Sequence, residues 1–139
     1  MALLEKSLFV KRSKIPHSGK GLFTKIRIEK GACIVEYKGR LSRWKDVRDQ
    51  DGYNGYLLQV NNRWAIDALP YKKALGRFAN DAKGLQRIPG LVNNAEYLLH
   101  GTKCFIYATK TIQPSEEILV SYGRAYWTLI RRIKKPKHQ

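Results

Sequence analysis

The chain has 139 residues, with 27 Lys or Arg against 11 Asp or Glu and a formal charge of +16; this length suits one domain with its own core. A hydrophobic share of 43% excludes wholesale disorder, and no apolar run approaches the ~20 residues that span a bilayer. The 2 cysteines, Cys33 and Cys104, lie far apart and outside any C-x-x-C pair, which argues against a disulfide framework or a cysteine-ligated zinc and for a reduced, intracellular setting.

Taken in order, the sequence reads as short strands punctuated by turns. The opening MALLEKSLFVKRSK is broken by Glu5 and Lys6 and lacks a small-residue cleavage site, so it belongs to the fold rather than to a secretory signal. Leu8–Arg12 is a first edge strand, His17–Gly21 is turn chemistry, and Leu22–Ile26 is the next strand. After a turn at Glu29–Gly31 comes the β-branched run Cys33–Tyr37. Ser42 is placed to cap a short helix through Gln50, with Trp44 and Val47 on one face. Tyr56–Val60 and Arg63–Asp67 form a hairpin through Asn61–Asn62, residues that tolerate positive φ. Ala95–Leu99 and Lys103–Thr109 form a second, turning at His100–Gly101, and Glu117–Tyr122 is the last strand. Tyr126, Leu129, Ile130 and Ile133 then give the helical period of Arg124–Lys135, ended by Pro136. The prediction is one mainly β (α+β) domain over residues 1–139, with a basic terminal helix.

Four segments carry more than their secondary structure requires. In Gly19–Phe23 two glycines flank one residue, which lets backbone approach a ligand closely, although the segment alone is also an ordinary turn. RFANDA at 77–82 and the pair Asn93–Asn94 offer amides suited to a zwitterionic amino-acid head, or to capping their own loops. In EEILVSYGRAYW a tyrosine at a strand end beside glycine, Tyr122, aims a hydroxyl towards a cleft or packs half-buried. Tyr37, Tyr53, Tyr56, Tyr97, Tyr107 and Tyr122 belong to an excess of 8 tyrosines over 4 phenylalanines, consistent with a polar-tipped aromatic channel or with plain strand propensity. His17, His100 and His138 are scattered and suggest no metal site.

Their order is more telling than any one of them. GKGLFT, IEKGACIVEYKG, RFANDA, NNAEY and TIQPSEEILVSYG together resemble the SET-domain protein lysine methyltransferases, from about Lys14 to Trp127. The resemblance implies a SET-domain fold of small curved β-sheets with a C-terminal pseudoknot, where Arg77–Ala82 meets the last strand. It implies S-adenosyl-L-methionine as cofactor. Lys20, Gly21 and Phe23 would contact it, Asn80 would hold its methionine head, and Arg77, Phe78 and Asp81 belong to the same motif. Trp127, or Tyr126 beside it, would stack on adenine. Tyr122 falls on the catalytic tyrosine, with Tyr37, Tyr97 and Tyr56 on the lysine channel. A lysine ammonium has no lone pair, and a narrow aromatic channel favours its neutral form.

The departures from the family pattern are specific. Asp81 replaces the usual His, AKGLQRIPGLVNN is longer than the family's continuation, and the cysteine-rich zinc modules flanking other SET domains are missing. Asp46, Asp49 and Asp51, just before Tyr53, are expected at the substrate groove, reading basic residues around a target lysine in a histone-like or other basic protein. The remaining positive surface is suited to nucleic acid. An alternative from another class is a SET-fold basic module that binds nucleic acid and has lost catalysis, favoured by Asp81 and the charge.

Overall fold

The computed structural model describes residues 3–123; the predicted helix Arg124–Lys135, with Tyr126 and Trp127, lies outside them. Nine strands and one helical turn form: β1 Leu8–Arg12, β2 Lys20–Thr24, β3 Cys33–Glu36, β4 Arg40–Arg43, α1 Trp44–Val47, β5 Leu57–Gln59, β6 Trp64–Asp67, β7 Ala95–His100, β8 Lys103–Ala108 and β9 Glu117–Ile118. They make three small antiparallel sheets, ordered β1-β2-β9, β3-β8-β7 and β4-β6-β5. This is the mainly β architecture the sequence predicts. No helix among the described residues is long and apolar enough to cross a membrane.

Strand periodicity places the core. β8 buries Cys104, Ile106 and Ala108 and turns the alternate residues outward, as a two-residue repeat dictates. Ile106 joins Leu22, Ile34, Ile112, Ile118 and Val120 in one apolar cluster on which the first two sheets rest. A second cluster, around Tyr37, Ile66 and Cys104, fills the space beside the third sheet.

Three local expectations are corrected. Ser42 caps no helix: it pairs with Ala65 inside β4, because the ladder to β6 claims residues 40–43. Only one α-turn follows, capped by no side chain, although Trp44 and Val47 do pack together against Leu57 and Ala65. The β5–β6 turn does not use positive φ at Asn61 or Asn62. Instead Asn61 Oδ1 accepts the N–H groups of Arg63 and Trp64 at 2.8 and 2.9 Å. The β7–β8 turn falls one residue later than predicted, with His100 still paired and Gly101 at φ 64°.

The end of the described chain is threaded. After β9, Leu119 bridges Asn80 and Val120 bridges Ala95, both in parallel. Val120 N–H donates to Asn80 O at 2.8 Å, while the N–H groups of Asn94 and Ala95 donate to Leu119 O at 2.9 and 3.0 Å. Residues 119–120 thus run between the two ends of the 81–93 loop, which is the expected pseudoknot. Asn94 locks it: buried, its Nδ2 donates to Glu117 O and its Oδ1 accepts Leu119 N–H, both at 2.9 Å. Asn94→Ala is expected to cost about 2–3 kcal/mol in denaturant unfolding, because two buried backbone groups lose their partners.

Candidate active site

The knot gathers distant segments around one cleft of about 620 Å³, walled by residues 15–20, Tyr53 and Tyr56, the 77–81 turn and Tyr122. Its first wall is held by Glu117, a buried carboxylate that sequence reasoning misses. Glu117 Oε2 accepts Ser13 Oγ at 2.6 Å and Oε1 accepts Lys14 N–H at 2.9 Å. Gly21 lies against it: a Cβ there would overlap the Glu117 carboxylate, so the glycine is required by packing behind the wall. The available signal was the acidic pair that opens an otherwise apolar strand, EEILV.

Asn80 and Lys20 meet in this cleft. Asn80 Nδ2 donates to Lys20 O at 3.0 Å, which fixes the amide and leaves Oδ1 as an acceptor. Phe78 and Asp81 also line the cleft. Asp81 is buried and spent on the protein: Oδ1 accepts Lys83 N–H at 2.8 Å and Asn93 Nδ2 at 2.9 Å, and Oδ2 accepts Tyr122 N–H at 2.8 Å. Asn93 Oδ1 in turn accepts Ala82 N–H at 2.8 Å. The expectation that Asn93–Asn94 holds an amino-acid head is therefore corrected: both amides serve the knot.

Tyr122 stands where the cleft meets a second, narrow channel of about 40 Å³, lined also by Tyr37, Tyr97 and the apolar Leu57, Leu58 and Ala79. Its hydroxyl donates to Ala79 O at 2.5 Å. The Tyr97 ring stacks parallel to it at 6.4 Å, and Tyr37 meets Tyr97 edge-on at 5.7 Å. Tyr37 O–H donates to Tyr56 O at 2.8 Å. Burial, above all, raises both the Tyr37 and Tyr97 phenols well above the ordinary tyrosine value, so both stay neutral at physiological pH. Burial likewise pushes the Cys104 thiol up to about 12.

These raised phenols carry a sign. The folded chain holds protons that the unfolded chain gives up, so their stabilisation is complete below pH 10 and is lost above it. Unfolding free energy is expected to fall between pH 10 and 11.5 by up to about 1.4 kcal/mol per pH unit for each phenol. Tyr97→Phe should flatten that fall, as measured by urea unfolding across the range.

Other predicted site residues are placed elsewhere. Phe23 is fully buried and stacks on Phe9 at 5.6 Å; as part of the middle strand of its sheet it supports the cleft without lining it. Tyr56 does not line the channel; its ring lies on the cleft side, and it gives the channel only its carbonyl. Asp46 and Asp49 are exposed and line no described cavity. Asp51 adjoins Gly52 and the exposed Tyr53 at the rim. Trp127 lies outside the described residues. Arg77 lines both cavities, with its guanidinium 3.8 Å from the Tyr56 ring centre and NH1 donating to Ala68 O and Leu69 O at 2.8 and 2.9 Å.

Known proteins resemble this chain. It is 27% identical over 147 residues to the histone-lysine N-methyltransferase EZH2 of Chaetomium thermophilum, covering 96% of this chain and 9% of that protein. It is 26% identical to the N-lysine methyltransferase KMT5A-A of Danio rerio (78% of this chain, 33% of that one). To the histone-lysine N-methyltransferase set-1 of Caenorhabditis elegans it is 28% identical, over 76% of this chain and 46% of the relative. The chain thus spans less than half the length of these curated relatives. A solved structure, a humanized mutant of the Chaetomium thermophilum Polycomb Repressive Complex 2 bound to the inhibitor GSK126, superposes with a TM-score of 0.70 at 22% identity, over 94% of this chain and 16% of that chain. The sequence model of the SET domain matches residues 19–123, the span that builds the knot and both cavities: the chain belongs to the SET-domain family.

Proposed function

We propose that this chain transfers a methyl group from S-adenosyl-L-methionine to the side-chain amine of a protein lysine. The observation that carries the reading is Tyr122, set at the junction of a cofactor-sized cleft and a narrow tyrosine-lined channel. The cleft, about 620 Å³, falls within the ordinary range for small-molecule sites. Lys20 main chain, Asn80 Oδ1 and the Phe78 and Tyr56 rings would hold the cofactor there, which when bound supplies an electrophilic methyl on a sulfonium.

The chain's own part is to prepare the amine. Leu57, Leu58 and Ala79, with tyrosines that remain neutral, form a wall in which an ammonium is poorly solvated. The Tyr122 O–H is directed at Ala79 O, and the phenolic oxygen keeps lone-pair capacity to accept an amine N–H. Positioning the amine at the junction removes much of the orientational cost of the reaction.

The relatives named as histone-lysine or N-lysine methyltransferases support the substrate class, a lysine-bearing protein of basic character, and Asp51 beside Tyr53 is the acid placed to meet a flanking cation at the rim. A second reading, a basic module that holds nucleic acid without catalysis, draws on the +16 charge. Calorimetry with S-adenosylhomocysteine, followed by labelled methyl transfer to a panel of lysine peptides, separates the two. Binding and transfer are expected; binding of duplex DNA with neither would favour the second reading.

A further inference from the structure

The narrow channel has one charged side chain in its described wall, and that charge is positive. Arg77 lines it together with tyrosines and apolar residues, and no carboxylate does among the described residues. Two carbonyls hold the guanidinium from one side, the Tyr56 ring lies 3.8 Å from it, and the Phe78 ring lies at 5.3 Å. Its Nε is buried and makes no hydrogen bond among the described residues. A cation pinned in this way cannot swing out to solvent.

The surrounding titratable groups do not cancel it. The Tyr37, Tyr97 and Tyr122 phenols and the Cys104 thiol share the neighbourhood. The first two phenols and the thiol hold their protons. Asp67 and Asp81 are the nearby carboxylates, and both are turned to other donors. Asp67 Oδ1 accepts Asn54 Nδ2 and Leu69 N–H, each at 3.0 Å, with Arg40 3.7 Å from Oδ2. Asp81 takes the three donors described above. A second cation in the channel would meet the Arg77 charge at short range in a poorly screened site.

We propose that Arg77 is a positioning charge that makes this channel take a neutral amine in preference to an ammonium. This inference rests on the channel being the amine site of the proposed transfer. It gives Arg77 a different target from the one the family resemblance implies: the side chain acts on the acceptor amine rather than on the cofactor.

The probe is n-butylamine, the lysine side chain without its backbone, titrated into the whole chain by NMR from pH 7 to pH 10. Wild-type affinity is expected to rise with the neutral fraction of the amine. Arg77→Met should bind the probe about tenfold more tightly at pH 7, equivalent to one unit in the amine's ionisation, and Arg77→Lys should behave as wild type. The inference is overturned if wild type binds the probe as well at pH 7 as at pH 10, a result that needs no variant to fold. Equal pH dependence in wild type and a folded Arg77→Met also overturns it, as does failure of the probe to bind at any pH. Methyl transfer is not needed for any of these readings. Absent transfer with the expected amine binding would count against the proposed reaction alone, and intact transfer without an Arg77 effect against this inference alone.

Discussion

Tyr122→Phe is expected to lower kcat for methyl transfer by about 100-fold or more while changing S-adenosylhomocysteine affinity less than about threefold. The ring should stay in place, because its backbone N–H remains bonded to Asp81 and its face remains stacked with Tyr97. What goes is one oxygen atom. With it go the bond to Ala79 O and the acceptor that would orient the amine, an interaction that matters most as the reacting atoms align. Tyr37→Phe provides the contrast, since that hydroxyl donates to Tyr56 O further from the cleft, and a loss of about tenfold or less is expected. Single-turnover transfer with saturating cofactor measures both. Undiminished transfer by a Tyr122→Phe chain that still binds cofactor would remove Tyr122 from the chemistry.

The sequence showed more of this site than local pattern alone allowed. Tyr37, Tyr97 and Tyr122 come from three separate strands or strand ends, and no periodicity links them; the ordered motifs did, and the three line one channel. Asn80 and Lys20, 60 residues apart, meet as the same order implied. The failures have local causes. Ser42 looks like a cap until a partner strand competes for it, and such pairing is invisible within a short window. Phe23 and Gly21 belong to a cofactor-contacting segment in sequence, yet strand alternation and the central position of β2 turn both towards the protein. Glu117 and Asn94 escaped notice because their partners are backbone groups 103 and 25 residues away. Such bonds leave no trace in composition.

Asp81→Ala is expected to be the most destabilising single change in the described chain's polar interior, about 3–5 kcal/mol by urea unfolding. The carboxylate is the shared acceptor for Lys83 N–H, Asn93 Nδ2 and Tyr122 N–H, and alanine leaves all three without it. Asp81→Asn keeps the shape but puts an NH₂ where one acceptor oxygen stood, so at least one donor faces another donor. A loss of about 2 kcal/mol is expected for it. Asp81→His, which restores the residue usual in the family, should not rescue: a neutral imidazole has one acceptor nitrogen and cannot serve three N–H groups on two sides. The effect should also reach the site. Asp81 fixes the backbone of Tyr122, so Asp81→Asn should lower kcat more than it raises the cofactor's Kd. If Asp81→His were instead as stable as wild type, the three bonds would not be what holds the knot against the last strand, and the substitution in this chain would need another reason.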